Sequence, residues 1–371
     1  MLLSNRRNPQ PSTRIAVLNM LPFLQAAGID AHIVHEPADS AEQPDIDGLA
    51  TRLIAQKFDA VYFQKVGGAS VYACLRALAD AGIRTVYGVC DHIDPHMVRL
   101  SDLTIVVTEY LKSLCPADTR HKVHVVHDGL EHPEHVKSEW GNHAGSPTSP
   151  LRAVLVTSAS LRQLPVLMSP PEWLHVSIIG RYPPENAWLK RFRDSRWTMR
   201  KMGHWRDRNG FLRFLADRRI STHPWGPESV YDAMKGADIG ILPIDTSAGA
   251  VGNQTVPAWQ IKSENRLTLK MAVALPVIAT PIPAYEPVVD HGKNAFLARS
   301  RSDWLHCLSV LRDPAARAQI GQQARRSVID QYSQAAQARR LIQLMATVCH
   351  TAETEPHRSE RAVTTGSPDG K

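Results

Sequence analysis

The stretch KSENRLTLKMAVALPVIAT, residues 262–280, carries the clearest fold signal in the chain. Its first part, Lys262–Ala274, has apolar residues at helical spacing, and Val277–Thr280 is a short apolar run typical of a buried strand. Upstream, Ile239–Pro243 predicts another strand, so the local order is strand, helix, strand. This order is the sequence form of a βαβ unit, and it predicts an α/β fold with parallel strands.

The same alternation of short apolar runs and helical patterns extends over most of the chain. Before residue 130 the predicted strands are Met1–Ser4, Ala31–His35, Ala60–Gln64, Thr85–Cys90, Leu103–Thr108 and Val123–His127, with a first helix over Ser12–Ala27. After residue 150 they are Ala153–Thr157, His175–Gly180, Ile220–His223, Ile239–Pro243, Val277–Thr280 and Phe296–Ala298. Two sets of strands predict two sheets, each with its own core.

A polar stretch rich in Gly, Pro and Ser, SEWGNHAGSPTSP at residues 138–150, separates the two sets and predicts a linker. We therefore expect one Rossmann-like domain over residues 1–140, a linker over 141–150 and a second Rossmann-like domain over 151–332. One further amphipathic helix is predicted over Gln334–Val348. Residues 350–371 have few apolar side chains and predict a disordered tail.

Length and charge fit this division. The 371 residues favour two domains over one. Residues 1–150 carry 13 Lys and Arg against 17 Asp and Glu, whereas residues 151–371 carry 30 against 19, so the second half is strongly basic. Such an excess predicts an anionic partner, namely nucleotide phosphates, nucleic acid or an acidic membrane surface.

The cysteine pattern and the apolar runs bear on the cellular compartment of the protein. The five cysteines are scattered and contain no CxxC motif, so we expect neither a disulfide framework nor a zinc site built from them. No apolar run suits a secretory signal or a membrane span. We expect a cytoplasmic protein.

Four ordered blocks, Ala237–Pro243, Lys262–Arg266, Lys270–Thr280 and Glu286–Leu297, resemble the donor-binding half of the GT-B nucleotide-sugar glycosyltransferases. The resemblance is closest to the large retaining family numbered four. It implies two Rossmann-like domains that face each other across a cleft, with the C-terminal helix at residues 333–349 packing back on the N-terminal domain. It also implies catalysis without an obligatory metal or other cofactor, because such enzymes supply positive charge from protein.

The resemblance places the donor site at the start of the helix after residue 262. A helix start offers free backbone N–H groups, and Lys262 and Arg266, four residues apart, would share one face with Asn265 beside them. We expect Lys262 and Arg266 to be catalytic, and Asn265, Ala284, Tyr285 and Glu286 to bind substrate. The competing interpretation is that the two cations merely solvate a surface helix.

Two departures from the family pattern bear on the mechanism. The family shows Glu-x7-Glu across this helix, and the aligned positions here hold Ile261 and Leu269. The glycine pair expected before Glu286 is replaced by the run 281–285, PIPAY. The resemblance implies retention of anomeric configuration, but the missing glutamates leave the stereochemistry open.

The first domain supplies candidates for the acceptor side. The family's His-Asp pair at a strand end corresponds to Cys90-Asp91, and Asp91 is expected to bind or deprotonate an acceptor hydroxyl, with His92 beside it. The alternative is that Asp91 caps the following turn. The other predicted binding residues are Arg14 in the first helix and Lys65, Gly67 and Gly68 in the turn after the third strand. Ordinary turn chemistry also explains these glycines.

Two further patterns, a group of histidines and a basic segment, each have a structural and a functional interpretation. His121, His124, His127, His132 and His135 cluster in sequence, but residues three apart on a strand point to opposite faces, and we expect no metal site. Residues 181–219 mix twelve Lys and Arg with seven aromatic residues. We favour core aromatics with a solvated basic face, then docking on an anionic membrane, and nucleic acid only third.

The predicted function is transfer of a sugar from a nucleoside-diphosphate-sugar donor to a hydroxyl acceptor, glycan or lipid-linked, in envelope polysaccharide synthesis. The expected place is the cytoplasm, with peripheral contact at the inner face of the membrane. No nucleic-acid partner is expected. The alternative is a non-catalytic two-domain protein that binds a nucleotide or sugar.

Overall fold

The computed structural model describes residues 1–141, 143, 145–157, 166–180, 199–200, 202–247, 249–250 and 256–354. Within these ranges the chain forms two separate parallel sheets, one of four strands and one of six. The predicted α/β class is confirmed.

The N-terminal sheet has the strand order β1-β2-β3-β4, so each strand lies beside its neighbour in sequence. Its core is formed by apolar residues such as Val61, Phe63 and Val106, with the helices packed on them. The strands are β1 (Ala60–Gln64), β2 (Arg84–Val89), β3 (Leu103–Val106) and β4 (Val123–Val125), and the helices are α1 (Pro11–Thr13), α2 (Leu21–Ala26), α3 (Leu49–Ala55), α4 (Ala69–Asp80), α5 (Pro95–Leu100) and α6 (Glu109–Leu114).

The second sheet has the order β10-β9-β8-β5-β6-β7. The strand order reverses beside β5, between β6 and β8, which is where doubly wound sheets open a crevice. The strands are β5 (Leu151–Val156), β6 (Leu174–Gly180), β7 (Ile220–Pro224), β8 (Ile239–Leu242), β9 (Val277–Ala279) and β10 (Phe296–Leu297), and the helices are α7 (Trp205–Ala216), α8 (Ser229–Gly236), α9 (Asn265–Ala272), α10 (Arg301–Val310) and α11 (Pro314–Val328).

The last helix, α12 (Gln334–Thr354), returns to the N-terminal sheet. Leu341, Leu344 and Met345 pack against Val86 and Ile105 of that sheet. The predicted tail therefore starts too early, because the helix continues past residue 350, and residues 355–371 lie outside the described part of the chain. No helix in the described ranges is both long and apolar enough to span a bilayer.

The chain crosses between the two sheets twice, and the two crossings touch. The segment after β4 meets the segment before α12 through a bridge between Leu130 and Ser333, in which the Leu130 N–H donates to the Tyr332 carbonyl at 2.8 Å. The His127 N–H donates to Gln337 Oε1 at 2.9 Å. Both crossings are thus hydrogen-bonded at one place.

The segment predicted as a linker is held against the second domain. Arg317 of α11, with no exposed surface, donates to the carbonyl oxygens of Trp140, Gly141 and His143 at 2.9–3.2 Å. The Trp140 indole N–H donates to the Ala274 carbonyl at 3.0 Å. The polar composition correctly predicted a connection between the two domains, and these contacts fix that connection to the second domain.

Three elements near the N-terminus differ from the predictions. Met1–Ser4 and Ala31–His35 are not strands. The Leu3 N–H donates to the Gln64 side chain at 2.9 Å rather than to a strand carbonyl, so no regular ladder forms between this segment and β1. The predicted helix Ser12–Ala27 is broken into α1, a π-helical turn at Arg14–Leu18, and α2. Pro22 lies at the start of α2, where its missing N–H is tolerated.

Candidate functional site

A narrow cavity opens at the carboxyl ends of the N-terminal strands, beneath the π-helical turn and beside α12. Ligands of open α/β sheets bind beyond the carboxyl ends of the strands, so this is the candidate site. Most of the wall is apolar, and its polar side chains are Ser12, Tyr62, Gln64, Cys90, His127 and Asp128.

Three titratable side chains meet at the edge of this cavity that faces the second sheet. His127 Nδ1 lies 2.8 Å from Oε1 of Glu264, which belongs to the segment just before α9. Glu264 is only 1% exposed, and its Oε2 has no hydrogen-bond partner in the described part of the chain. Asp128 is also buried and is hydrogen-bonded to Ser263. An imidazole and two carboxyl groups from different domains thus form one cluster.

The surroundings shift the acidity of this cluster. Burial, together with the negative charge of Glu264, raises the pKa of Asp128 to about 7. Burial is the largest single effect on His127 and opposes its charge, but the hydrogen bond to Glu264, the charge of Glu264 and the Val107 carbonyl together outweigh burial and raise the pKa of His127. Groups that exchange protons near neutral pH in a cleft are candidates for acid–base chemistry.

Lys262 and Arg266 bring two positive charges to the same edge. Loss of solvent around its ammonium group, followed by the charge of Arg266, lowers the pKa of Lys262, although nearby Asp91 acts in the opposite direction. Neither cation forms an ion pair with a carboxylate of the described residues, and among the same residues the buried Nδ2 of Asn265 has no hydrogen-bond partner. Two adjacent cations and an unused N–H donor make a site for an anion.

The predicted start of the helix at Lys262 is wrong. The helix α9 begins at Asn265, with the N–H groups of Leu267 and Thr268 donating to the Glu264 carbonyl. The reason lies in Ile261, which is buried among core residues of the N-terminal domain, so the chain turns before the helix starts. Lys262 therefore lies in this turn and not on one helix face with Arg266.

Lys65 and Asp91 are brought together as an ion pair at the ends of β1 and β2. Lys65 Nζ lies 2.7 Å from Asp91 Oδ2 and 3.1 Å from Glu42 Oε1. Burial disfavours the charge on Lys65, but the two carboxylates outweigh it and raise its pKa. Asp91 also accepts the backbone N–H of His92 at 2.8 Å. Both Lys65 and Asp91 lie close enough to Lys262 to influence its charge.

The two glycines after β1 are packed against protein. A Cβ atom on Gly67 would lie 2.6 Å from Asp94 Oδ2, and one on Gly68 would lie 3.2 Å from Gln43 Cβ. The Gly67 N–H already donates to the Glu42 carbonyl at 2.8 Å. Gly68 has φ +97°, which favours glycine. The turn geometry accounts for both glycines, and protein atoms already lie against their α-carbons.

Arg14 is held by a carboxylate of the first crossing. Its Nε and Nη2 donate to the two oxygens of Glu131 at 2.7 and 2.9 Å, and its guanidinium lies 5.9 Å from the Trp225 ring. Asn19 also donates to Glu131. A bidentate pair of this kind is strong, so Arg14 positions the segment after β4 instead of offering a free charge to the cleft.

The loop at 284–286 is split between core and surface. The side chains of Ala284 and Tyr285 are buried among apolar residues, and burial raises the pKa of Tyr285 to about 12. Glu286 is exposed and pairs with Arg299 at 2.9 Å. Only Glu286 of these three predicted substrate residues presents its side chain to solvent.

His127, Asp128 and Glu264 were not among the predicted site residues. His127 was assigned to a strand, but β4 ends at Val125, so His127 and Asp128 follow the strand end. The signal available in the sequence was the position of two polar residues directly after an apolar strand. Nothing in the sequence alone indicates that Glu264 would meet them.

Comparison with known proteins bears on the family and the fold of the chain. Residues 181–343 match a family model described as glycosyl transferase-like. No curated protein sequence matches the chain.

Solved structures share the fold over most of their length. HepE from Anabaena in complex with UDP and glucose has a TM-score of 0.57 at 13% identity, over 88% of this chain and 89% of that one. A glycosyltransferase from Rickettsia africae has a TM-score of 0.57 at 14% identity, over 88% and 87%. Sucrose-phosphate synthase from Thermosynechococcus elongatus has a TM-score of 0.54 at 11% identity, over 81% and 77%.

The likeness to these structures establishes the predicted GT-B fold, with two parallel sheets facing each other. The family match covers most of the second domain, including Lys262 and the helix α9 with Arg266. The chain therefore has the GT-B fold, and residues 181–343 resemble a glycosyl transferase-like family.

Proposed function

We propose that the enzyme transfers a sugar from a nucleoside-diphosphate sugar, with the diphosphate bound at Lys262, Asn265 and Arg266. The observation that supports this assignment is a pair of cations that influence each other's charge and that form no ion pair with a carboxylate of the described residues. HepE was solved with UDP and with UDP-glucose, so UDP-sugars are the first donors to test. Asp91, a carboxylate close enough to influence Lys262, is instead paired with Lys65.

The chemistry follows from where charge develops. The bond between the anomeric carbon and the diphosphate oxygen breaks, and its electron pair stays on that oxygen. Lys262 and Arg266 stabilise the added negative charge. Such electrostatic stabilisation of the transition state is usually the largest single contribution to catalysis. We propose that no obligatory metal is needed for this step, because the protein supplies the positive charge.

The acceptor hydroxyl loses its proton as its oxygen attacks the anomeric carbon. We assign that proton to the Asp128 carboxylate, which lies in the cavity wall and exchanges protons near pH 7. His127 and Glu264 are hydrogen-bonded to each other beside Asp128, and both influence the charge of its carboxyl group. Asp91 is ion-paired with Lys65, and we assign it to positioning of the acceptor.

Asp128→Asn should lower turnover about 10²–10⁴-fold, the usual contribution of a general base. In the natural chain only the ionised carboxylate accepts a proton, so turnover should fall as pH drops below about 7. The Asn variant should lose this acidic limb, and the exposed control Asp47→Asn should keep it. A turnover-versus-pH profile of the three proteins checks this. A limb that persists in Asp128→Asn would assign the titration to another group.

Titration calorimetry with UDP, GDP and ADP, with and without EDTA, tests the donor site. We expect binding of at least one nucleoside diphosphate, slow hydrolysis of the matching nucleotide sugar, and no loss of either with chelator. Binding without hydrolysis or transfer to any acceptor would favour a non-catalytic binding protein. Failure to bind any nucleoside diphosphate would remove the proposal.

We further propose a glycan or lipid-linked acceptor in envelope polysaccharide synthesis, reached by peripheral contact with the inner face of a membrane. Residues 181–198 and 201 of the basic segment lie outside the described part of the chain, but α7 is described. Trp205 is 67% and Leu212 46% exposed, beside the exposed Arg206 and Arg213. An amphipathic helix with aromatic and cationic residues on its exposed side favours anionic headgroups.

Vesicle sedimentation checks the membrane contact. The full chain should bind vesicles that contain about one-third anionic lipid and should dissociate at high salt, since the attraction is electrostatic. Replacing Arg206 and Arg213 with Gln should weaken this binding several-fold, and Lys293→Ala, a distant exposed cation, should not. Equal binding to neutral and anionic vesicles would contradict it.

A further inference from the structure

A second cluster of polar side chains lies outside the candidate site, on the loop after β4. One nitrogen or oxygen atom from each of His132, Glu134 and His135 lies within 4.8 Å of the others. His132 Nδ1 is 3.0 Å from Glu134 Oε1, and His135 Nε2 is 3.5 Å from Oε2 of Glu228. Glu228 comes from the N-terminal end of α8, so the cluster joins the two domains.

Both imidazole rings are held by packing. The His135 ring stacks on Tyr231 at 4.6 Å between centroids, and the His132 ring meets the same tyrosine edge-on at 5.3 Å. The Tyr231 hydroxyl in turn donates to the Glu131 carbonyl at 3.0 Å. This packing limits the orientations of both rings before any ligand binds, which reduces the entropy lost on binding.

The donor set has the chemistry of a zinc site. Zn²⁺ binds imidazole nitrogen and carboxylate oxygen at about 2.0–2.2 Å in a tetrahedron, which places neighbouring ligand atoms about 3.3 Å apart. The His132–Glu134 and His135–Glu228 pairs already have nearly this spacing. The larger separations close by rotation of exposed side chains, since His132 and Glu134 are on the surface.

We propose that His132, Glu134 and His135, with Glu228 as fourth ligand, bind one divalent cation of the zinc class. The argument against a metal from strand alternation applies only up to Val125, where β4 ends, and these histidines follow in a loop. The site is structural, because it fastens the segment after β4 to α8. It is independent of the donor chemistry and holds whether or not the chain transfers a sugar.

Metal titration of the full chain, without a histidine tag and after removal of EDTA, tests the site. Co²⁺ should bind with a stoichiometry of one and give visible absorption bands of tetrahedral nitrogen–oxygen ligation, and Zn²⁺ should displace it. His132→Asn/His135→Asn should weaken binding at least about 100-fold, because both nitrogen ligands are lost. The control His96→Asn/His121→Asn, which changes two other exposed histidines, should bind as the natural chain does.

Glu134→Gln is a second variant that should fold as the natural chain does, because the Glu134 side chain is exposed and is not part of a hydrophobic core. It should weaken Co²⁺ binding about 10-fold and reduce the rise in melting temperature that one equivalent of Zn²⁺ gives the natural chain. Equal affinity in the histidine double variant and its control would overturn the proposal. So would an intense ultraviolet thiolate-to-metal band, which would assign the metal to cysteine.

Discussion

Lys262→Ala and Arg266→Ala should each lower donor turnover about 10²–10³-fold, equivalent to about 2–4 kcal/mol of transition-state stabilisation. Each cation faces a charge that grows as the glycosidic bond lengthens, so the loss should appear in turnover as well as in nucleoside-diphosphate affinity. Lys262→Arg should restore little, because a planar guanidinium does not replace a compact ammonium at a close phosphate contact. Steady-state donor hydrolysis and calorimetry with UDP measure the two effects.

Suitable controls are Lys293→Ala and Arg326→Ala, which remove exposed cations. Lys293 pairs only with Asp290 of its own turn, and exposed pairs of this kind contribute about 0–1 kcal/mol. If the site variants and the controls behave alike, the two cations near α9 merely solvate the surface and the donor binds elsewhere. A loss of affinity without a loss of turnover would assign them to ground-state binding alone.

Arg317→Ala should destabilise the second domain by about 3–5 kcal/mol, lowering the melting temperature by about 10 °C. Its guanidinium is wholly buried and donates five hydrogen bonds to backbone carbonyl oxygens of the segments 140–143 and 311–312. Removing it leaves these acceptors unpaired and opens a cavity beside Trp140. Thermal unfolding followed by circular dichroism measures the change.

Arg326→Ala is again the matched control, since Arg326 lies on the same helix but points to solvent. Its melting temperature should stay within about 2 °C of the natural chain, as for surface substitutions in general. A melting temperature of Arg317→Ala equal to that of the control would mean that water replaces the guanidinium at no cost.

The sequence predicted the fold because its signals are local. Apolar runs such as Val277–Thr280 and the helix before it report on burial within one βαβ unit, and the structure contains that unit. The same locality explains the errors. Nothing near Lys262 shows that Ile261 packs into the other domain, so the helix start was placed three residues too early.

The site was predictable in part for the same reason. Lys262 and Arg266 stand out in a recognisable block, whereas the contact between His127 and Glu264 joins residues 137 positions apart. Arg317 lies in a polar helix whose sequence gives no sign of burial, yet its surroundings are built from the segment at 140–143. Residues that depend on a partner from the other domain are invisible to local patterns.

The contact between the two crossings at Leu130 and Ser333 restrains how the two domains can move relative to each other. Two domains joined by a single connecting segment can rotate and translate independently. Here both connecting segments are hydrogen-bonded to each other at one place. A movement that separates the two crossings must break these hydrogen bonds, so a rotation that keeps them together is the motion they oppose least. A rotation of one domain against the other would therefore displace the side chains far from the crossings most, and those beside them, such as His127, least.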